Sequence, residues 1–370
     1  MVVFPAGGGI AGFVYWVLNG IMSWGWVSYG FAIFFFTLLI KLIMSPLDFA
    51  NRYFSRKNQI ATQAIAAELK DLEQTYGNDP LVFARKRQEL LRKNGAGGLG
   101  GSLVTLVSLI LTLVIFFQVL GALNNTAKLN IWHEYEELKA VYQDCQEQGV
   151  DAETLHDRLN QAYQQNKTGF FWVKNIWQPD TFWTSSVMSF DEFNKSQPAD
   201  HRLDESERET YQAIYQQIDK SHKGGNGWLL LVLLVGAANF VSMKLSQLAA
   251  ARRAPAKQAA AQPKEEIITY SLRDAKKQQT AQPSIDPAQM NKMLQFIMPV
   301  VLIIFAVNQS AAFAIYMIAS SLISTLLTIL FSFLIDAILK RQKPGAGQNQ
   351  EFDASVINPH AKYFKGGRKS

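Results

Sequence analysis

Four long stretches of this sequence carry no Asp, Glu, Lys or Arg: residues 1–40, 94–127, 226–243 and 293–335. A helix lying on a soluble core keeps a polar face, so uncharged runs of this length belong to segments that meet hydrocarbon on most sides. About 18 such residues suffice to span a bilayer core roughly 30 Å thick. The sequence therefore predicts an all-α polytopic membrane protein. Five spans are read at 28–48, 99–124, 226–248, 293–309 and 311–338. The last two share one uncharged run that is too long for a single crossing, and Asn308, Gln309 and Ser310 supply the polar turn of a hairpin.

Orientation follows from where Lys and Arg lie. Residues 49–95 hold nine basic and five acidic residues, 249–292 hold eight and four, and 339–370 hold seven and two. Residues 125–225 hold ten basic and seventeen acidic residues. Three basic regions thus alternate with one acidic region in the order that five crossings demand. The basic regions are expected to face the cytoplasm and the acidic one to lie outside. The net charge of +6 averages over opposite surfaces.

Within 1–27, residues 9–24 read either as a sixth span or as a helix in the outer interface, where Trp and Tyr settle; the interfacial helix is preferred. No basic region precedes the first apolar residues and no small-residue cleavage site follows them, which argues against a removed signal peptide. Residues 49–95 read as a helical hairpin. Ile65, Leu69, Leu72 and Tyr76 form one stripe, Gly77 and Asn78 end the first helix, and Asp79 with Pro80 starts the second. It is either a solvated spacer or an arm that meets incoming chains. The segment 125–225 is expected to be helical, with starts at Asp151 and Asp204. Its aromatic patch (Phe170, Phe171, Trp172, Trp177, Phe182, Trp183) reads as an anchor packed on the outer helix ends. Residues 249–292, rich in Ala, Gln, Lys and Pro, read as a flexible linker. The basic tail 339–370 suits an anionic surface, lipid or RNA.

Lys41 is the one charge inside a span. A charged residue near the bilayer centre costs about 2.5–3.5 kcal/mol on insertion scales, so something must offset it. Either the ammonium snorkels past Asp48, seven residues away, to the headgroups, or it lines a water-filled cavity. Ser108, Thr112 and Gln118, Asn239 and Ser242, and Ser320, Ser321, Ser324, Thr325 and Thr328 lie in other spans. Singly, each is a helix-packing residue; together they wet one face of a groove. No carboxylate lies deep in a span to pair with Lys41.

Covalent chemistry finds no support. Gly7, Gly9 and Gly12 match GxGxxG without the strand or acid that a dinucleotide site needs. The five histidines (His133, His156, His201, His222 and His360) lack metal-ligand spacing. Cys145 excludes an internal disulfide and reads as a small half-buried side chain. No cofactor is expected. Sequons at Asn124, Asn166 and Asn194 are read as chance.

These segments in order resemble the YidC-type membrane protein insertase family, whose relatives include mitochondrial and chloroplast proteins. SYGFAIFFFTLLIKLIMSPLDFANR resembles its first core helix, a mid-span basic residue followed by a proline, here Lys41 and Pro46. The YGNDP turn and QELLRKNG ending resemble its cytoplasmic hairpin. Gly100 and Gly101 match a glycine pair entering the next span, and FFWVKNIWQPDTFW, with Trp172, matches its external tryptophan segment. Met298 and Pro299 match a Met-Pro pair of the fourth span, and Tyr316 and Ser320 a tyrosine and serine of the fifth. The resemblance implies five helices around a hydrophilic groove open to cytoplasm and lipid, with Lys41 central and Ser242 and Ser320 on its wall. It implies nascent membrane proteins as substrates, and the ribosome and Sec translocon as partners; DNA is not one. Lysine replaces the commoner arginine, which weakens bidentate contacts. The external segment and the linker are long, the glycine pair lacks its neighbouring proline, and the large external domain typical of some bacterial members is not expected before the first span.

The function implied is insertion of newly made membrane proteins. The rival is a small-solute or anion transporter using Lys41, for which inverted repeats or broken spans would speak. A scaffold acting through 125–225 is a third; it predicts that Lys41→Leu is silent while deletion of 125–225 is not.

Overall fold

The computed structural model describes residues 2–77, 79–94, 99–219, 223–251, 297 and 300–341. Most of the linker 249–292, nearly all of the tail 339–370, and Met298 and Pro299 lie outside the described residues. Within the described residues the regular structure is helical, apart from two isolated bridges. Four helices are long and apolar enough to cross a membrane: α2 (Tyr29–Ala64), α5 (Leu99–Gln148), α9 (Leu230–Ala251) and α11 (Ala311–Arg341). Of the expected span 293–309, Ile297 and 300–309 are described, with a helix α10 over 300–307.

The helix α1 (Gly9–Met22) buries Val14, Val17, Leu18 and Ile21 and packs on α2 and α5. At 14 residues it is about 21 Å long, shorter than a crossing requires. Its other face is also apolar and exposes Ile10, Phe13 and Trp16.

Two spans run on well past their expected limits. α2 continues through Pro46 to Ala64, about 54 Å in all, so the arm expected at 49–95 starts as an extension of the span itself. Pro46 removes the amide that would bond the carbonyl of Leu42, but it leaves the helix unbroken. The arm then folds back as α3 (Ala66–Tyr76) and α4 (Pro80–Lys93). Gly77 closes α3 with its N–H on the Glu73 carbonyl, and the Asp79 carboxylate accepts from the amides of Leu81 and Val82 with Pro80 in the first turn of α4. Of the stripe, Ile65 is buried, Leu69 and Leu72 are half-buried and Tyr76 is exposed.

α5 likewise passes from its apolar half into the acidic region without a break. No proline interrupts it. Thr126 and Asn130 bond back to the carbonyls of Ala122 and Thr126, and Asn130 also holds both backbone groups of Val3. Beyond it, α6 (Ala152–Asn166) starts where the Asp151 carboxylate accepts the Thr154 amide. A capping box at Ser189 and Glu192 starts α7 (Phe190–Ser196). Asp204 precedes a single 3-10 turn, and α8 (Arg208–Gln216) follows it. These helices close over Tyr135, Leu138, Leu159, Phe193 and Tyr211, all buried, with the Tyr211 ring 5.3 Å from both Tyr135 and Phe193. Glu134 is buried beside them and Cys145 beneath Arg158.

α11 is the central post, packed on both α2 and α9. Its first turns are buried alanines (Ala311, Ala312, Ala314) flanking Phe313. α10 ends at 307 and Asn308, Gln309 and Ser310 turn the chain into α11, as the hairpin expectation required.

One loop, 170–180, ties the starts of α2, α9 and α11 together. Phe170 packs on Gly30, where an added Cβ would fall 2.3 Å from the ring, and Trp177 meets Tyr29 at 4.8 Å. The carbonyls of Gln178 and Ile176 accept the amides of Ala311 and Ala312. The buried Asp180 carboxylate accepts from the amides of Trp228 and Leu231 at 2.9 and 2.6 Å, and from the Trp172 indole at 3.5 Å. Of the aromatic patch, Trp177 is thus buried core, whereas Phe171, Phe182 and Trp183 stay exposed.

Asp180→Ala is expected to lower the melting temperature of the detergent-solubilised protein by stranding buried amides, each costing about 1–3 kcal/mol. Gly227→Ala is expected to act the same way, because its Cβ would fall 1.7 Å from Asp180 Oδ1. Unchanged melting in both would remove the loop from its capping role.

Candidate functional site

The candidate site grows from a polar seam on α2. Lys41, Ser45, Asp48, Arg52, Ser55, Gln59 and Thr62 recur at spacings of four and three, which places them on one face of the helix. Lys41 lies twelve residues from Tyr29, about 18 Å along the axis and so near mid-bilayer depth, and the seam runs from there out to the basic end.

At that end the seam lines a polar recess of about 450 Å3, with Asp48, Asn51, Arg52 and Arg56 from α2, Thr105 from α5 and Ser332 from α11. A second recess of about 650 Å3 shares Ser55, Gln59 and Thr105 and continues along Asn58, Thr62, Lys70 and Glu73. Two cross-links hold the walls. Arg56 Nε lies 3.4 Å from Asp336 Oδ1, with side chains only 16% and 31% exposed, which joins α2 to α11. Thr105 donates to Asn51 Oδ1 at 2.7 Å and joins α5 to α2.

Lys41 itself is half-buried and lines neither recess. Among the described residues it has no ion-pair partner within 4.0 Å, yet it interacts electrostatically with Asp48 and Arg52 on the same seam. Asp48, two turns away, is therefore the carboxylate that answers Lys41. The remaining expected groove residues disperse. Ser108 and Tyr316 are buried, Thr112 is exposed, and Ser242 and Ser320 are half-buried. Asn239 is half-buried and donates to its own helix at the Val235 carbonyl, 2.8 Å away. None of them lines the two polar recesses. Pro46 lies inside α2, Gly100 and Gly101 in the first turn of α5, and Trp172 in the capping loop. What the sequence reading passed over is Asp48, Asn51, Arg52, Ser55, Arg56 and Gln59. Their signal was present, because the four-three spacing that starts at Lys41 continues past the proline.

At the opposite, aromatic end the arrangement is apolar. An apolar cleft of about 270 Å3 lies between α2 and α9, floored by Ile315, Ala319 and Leu322 of α11 and roofed by Phe170 and Phe171. Phe171 holds φ at 50°, a left-handed conformation that a bulky residue rarely adopts. Hydrogen bonds between Phe170 and Val173 in both directions keep that turn shut.

No group of three or more His, Cys, Asp or Glu side chains with metal-binding geometry occurs among the described residues. The arrangement offers two mixed-charge polar recesses at the basic end of the helix set, from which the polar face of α2 continues to Lys41.

A family profile described as 60Kd inner membrane protein matches residues 17–337. Among curated proteins, the chain is 23% identical over 177 residues to one named membrane protein insertase YidC from Leptospira interrogans, covering 48% of this chain and 21% of that protein. Proteins of the same name from Aromatoleum aromaticum (32% over 117 residues; 30% of this chain, 20% of that one) and Wolinella succinogenes (30% over 114 residues; 31% and 19%) are also similar. The chain thus spans about a fifth of the length of the curated relatives it matches. No solved structure matches it.

A double-mutant cycle with Arg56→Ala and Asp336→Ala, read by thermal unfolding in detergent, is expected to give a coupling of roughly 1–2 kcal/mol, more than exposed pairs show. A coupling indistinguishable from zero would mean that the pair does not hold the recess wall.

Proposed function

This chain belongs to the 60Kd inner membrane protein family, the YidC type, and on that premise we propose that it moves newly made membrane proteins into the lipid bilayer. The observation that carries the proposal is the polar seam of α2, which opens into the recesses at the basic end and reaches Lys41 at mid-depth. With the basic end facing the cytoplasm, as the charge distribution favours, a polar segment of a nascent chain enters a hydrated space and crosses only the remaining part of the hydrocarbon. Moving polar groups through apolar medium costs several kcal/mol each, so a thinner hydrocarbon layer makes the crossing easier.

Lys41 in this scheme is the inner end of the passage. It shares the seam with Asp48, two turns toward the basic end, and receives acidic or polar groups of the substrate during passage. The substrate's own apolar helix leaves sideways into lipid, favoured by burial at roughly 25 cal/mol per Å2. The apolar cleft between α2 and α9 fits that exit. The arm α3–α4, which lines the larger recess with Leu69, Lys70 and Glu73 and exposes Tyr76, Leu81 and Val82, would meet the chain first. The ribosome and the Sec translocon are partners by family analogy, and the tail 339–370 and the linker 249–292 would face them from the cytoplasm, with 125–225 outside.

Reconstitution into liposomes with a ribosome-free single-span substrate tests this. The native chain is expected to insert the substrate without an energy source, Lys41→Arg to retain most of the rate, and Lys41→Glu to lose roughly a hundredfold, matching the cost of about 2.5–3.5 kcal/mol for one misplaced mid-membrane charge. Solute or ion flux without insertion would refute the proposal in favour of a transporter.

A further inference from the structure

Asp48 and Arg52 lie one helical turn apart on the seam of α2 and both line the recess at the basic end. The next basic side chain, Arg56, is already bound to Asp336. Arg52 is half-buried and, among the described residues, has no ion-pair partner within 4.0 Å. Asp48 interacts electrostatically with Arg52 on one side and with Lys41 on the other. One carboxylate therefore serves two cations, and the three groups together carry one surplus positive charge.

That surplus has a chemical preference. A guanidinium offers a planar fork of donors that matches a carboxylate or a phosphate in two-point contact. Asn51, Ser55, Gln59 and Ser332 around it supply further hydrogen-bonding groups, and among the described residues Ile335 is the one apolar side chain in the lining. A phospholipid headgroup would bring acyl chains that such a lining does not accommodate. A peptide segment brings its own polar backbone, which the amides and hydroxyls satisfy.

Resting on the insertion reading above, we propose that Arg52 is where an acidic side chain of an incoming segment is first taken up, with Asp48 as its resident competitor. The incoming carboxylate takes over Arg52 and leaves Asp48 to Lys41, eleven residues or about 16 Å deeper along α2. Asp48 thereby sets the threshold. A neutral segment gains nothing at Arg52, and a basic one is drawn to Asp48 but repelled by both cations. Discrimination of this kind, from an attractive and a repulsive element together, is how charged sites separate similar ligands.

The experiment uses the full chain in liposomes and three substrates that differ only in their translocated segment, carrying two Asp, two Asn or two Lys. With the Asp substrate, Arg52→Gln is expected to lower the initial insertion rate roughly tenfold, as for loss of a hydrogen bond to a charged group, and Asp48→Asn to raise it. Arg52→Lys should fall between Arg52→Gln and the native chain. The Asn substrate should change by less than about twofold in any variant, and the Lys substrate should respond in the opposite sense. Equal loss on all three substrates would overturn the proposal, because it marks a structural role. An Arg52→Gln effect that follows the phosphatidylglycerol content of the vesicles rather than substrate charge would overturn it in favour of a headgroup phosphate. If the native chain inserts none of the three, the insertion reading itself fails; if it inserts all three and the variants show no charge dependence, only the role of Arg52 and Asp48 fails.

Discussion

The structure depends on how the amide groups at the starts of its membrane-crossing helices are satisfied. A helix leaves its first four amides without partners inside itself, and in an apolar setting each unmet donor is costly. Here one short loop meets that demand for two helices at once. The Gln178 and Ile176 carbonyls take the amides that open α11, and the Asp180 carboxylate takes those that open α9. A negative side chain at a helix start also suits the helix dipole. Because Asn226 in turn bonds the carbonyls of Asn175, Gln178 and Pro179, the loop is pinned on both sides.

That pinning makes the molecule asymmetric. At the aromatic end the helices are drawn together over Tyr29, Trp177 and Phe313, with small alanines letting α11 approach its neighbours. At the basic end among the described residues, side-chain links take over, one between Arg56 and Asp336 and one between Thr105 and Asn51. Side-chain links span more distance than backbone contacts, and the space between these helices is lined by polar groups. The recess is the counterpart of the tight closure opposite.

Much of the architecture was legible in the sequence because each feature rests on local chemistry. Uncharged runs report hydrocarbon contact, Asp79-Pro80 and Asp151 report helix starts, and Asn308-Gln309-Ser310 reports a turn, all from neighbouring residues. The candidate site was less legible. Lys41 stands out as a charge in an apolar run, but Asp48, Arg52 and Arg56 lie where charge is ordinary, and their meaning depends on α2 continuing unbroken past Pro46. The span was expected to end at 48, whereas the helix carries on to Ala64. The serines and threonines of other spans are hard to read for the complementary reason. Ser/Thr hydroxyls readily bond their own helix, as Thr325 and Thr328 do, so such residues reveal little about which face is wet.

The unbroken run of α5 has a mechanical consequence. Its 50 residues make a rod about 75 Å long, with Thr105 on the recess wall near one end and Tyr135 and Leu138 in the core of the acidic unit toward the other. A rod without a hinge transmits tilt. The recess wall at Thr105 and the core of the acidic unit at Tyr135 and Leu138 therefore share one axis, and the orientation of one sets the orientation of the other.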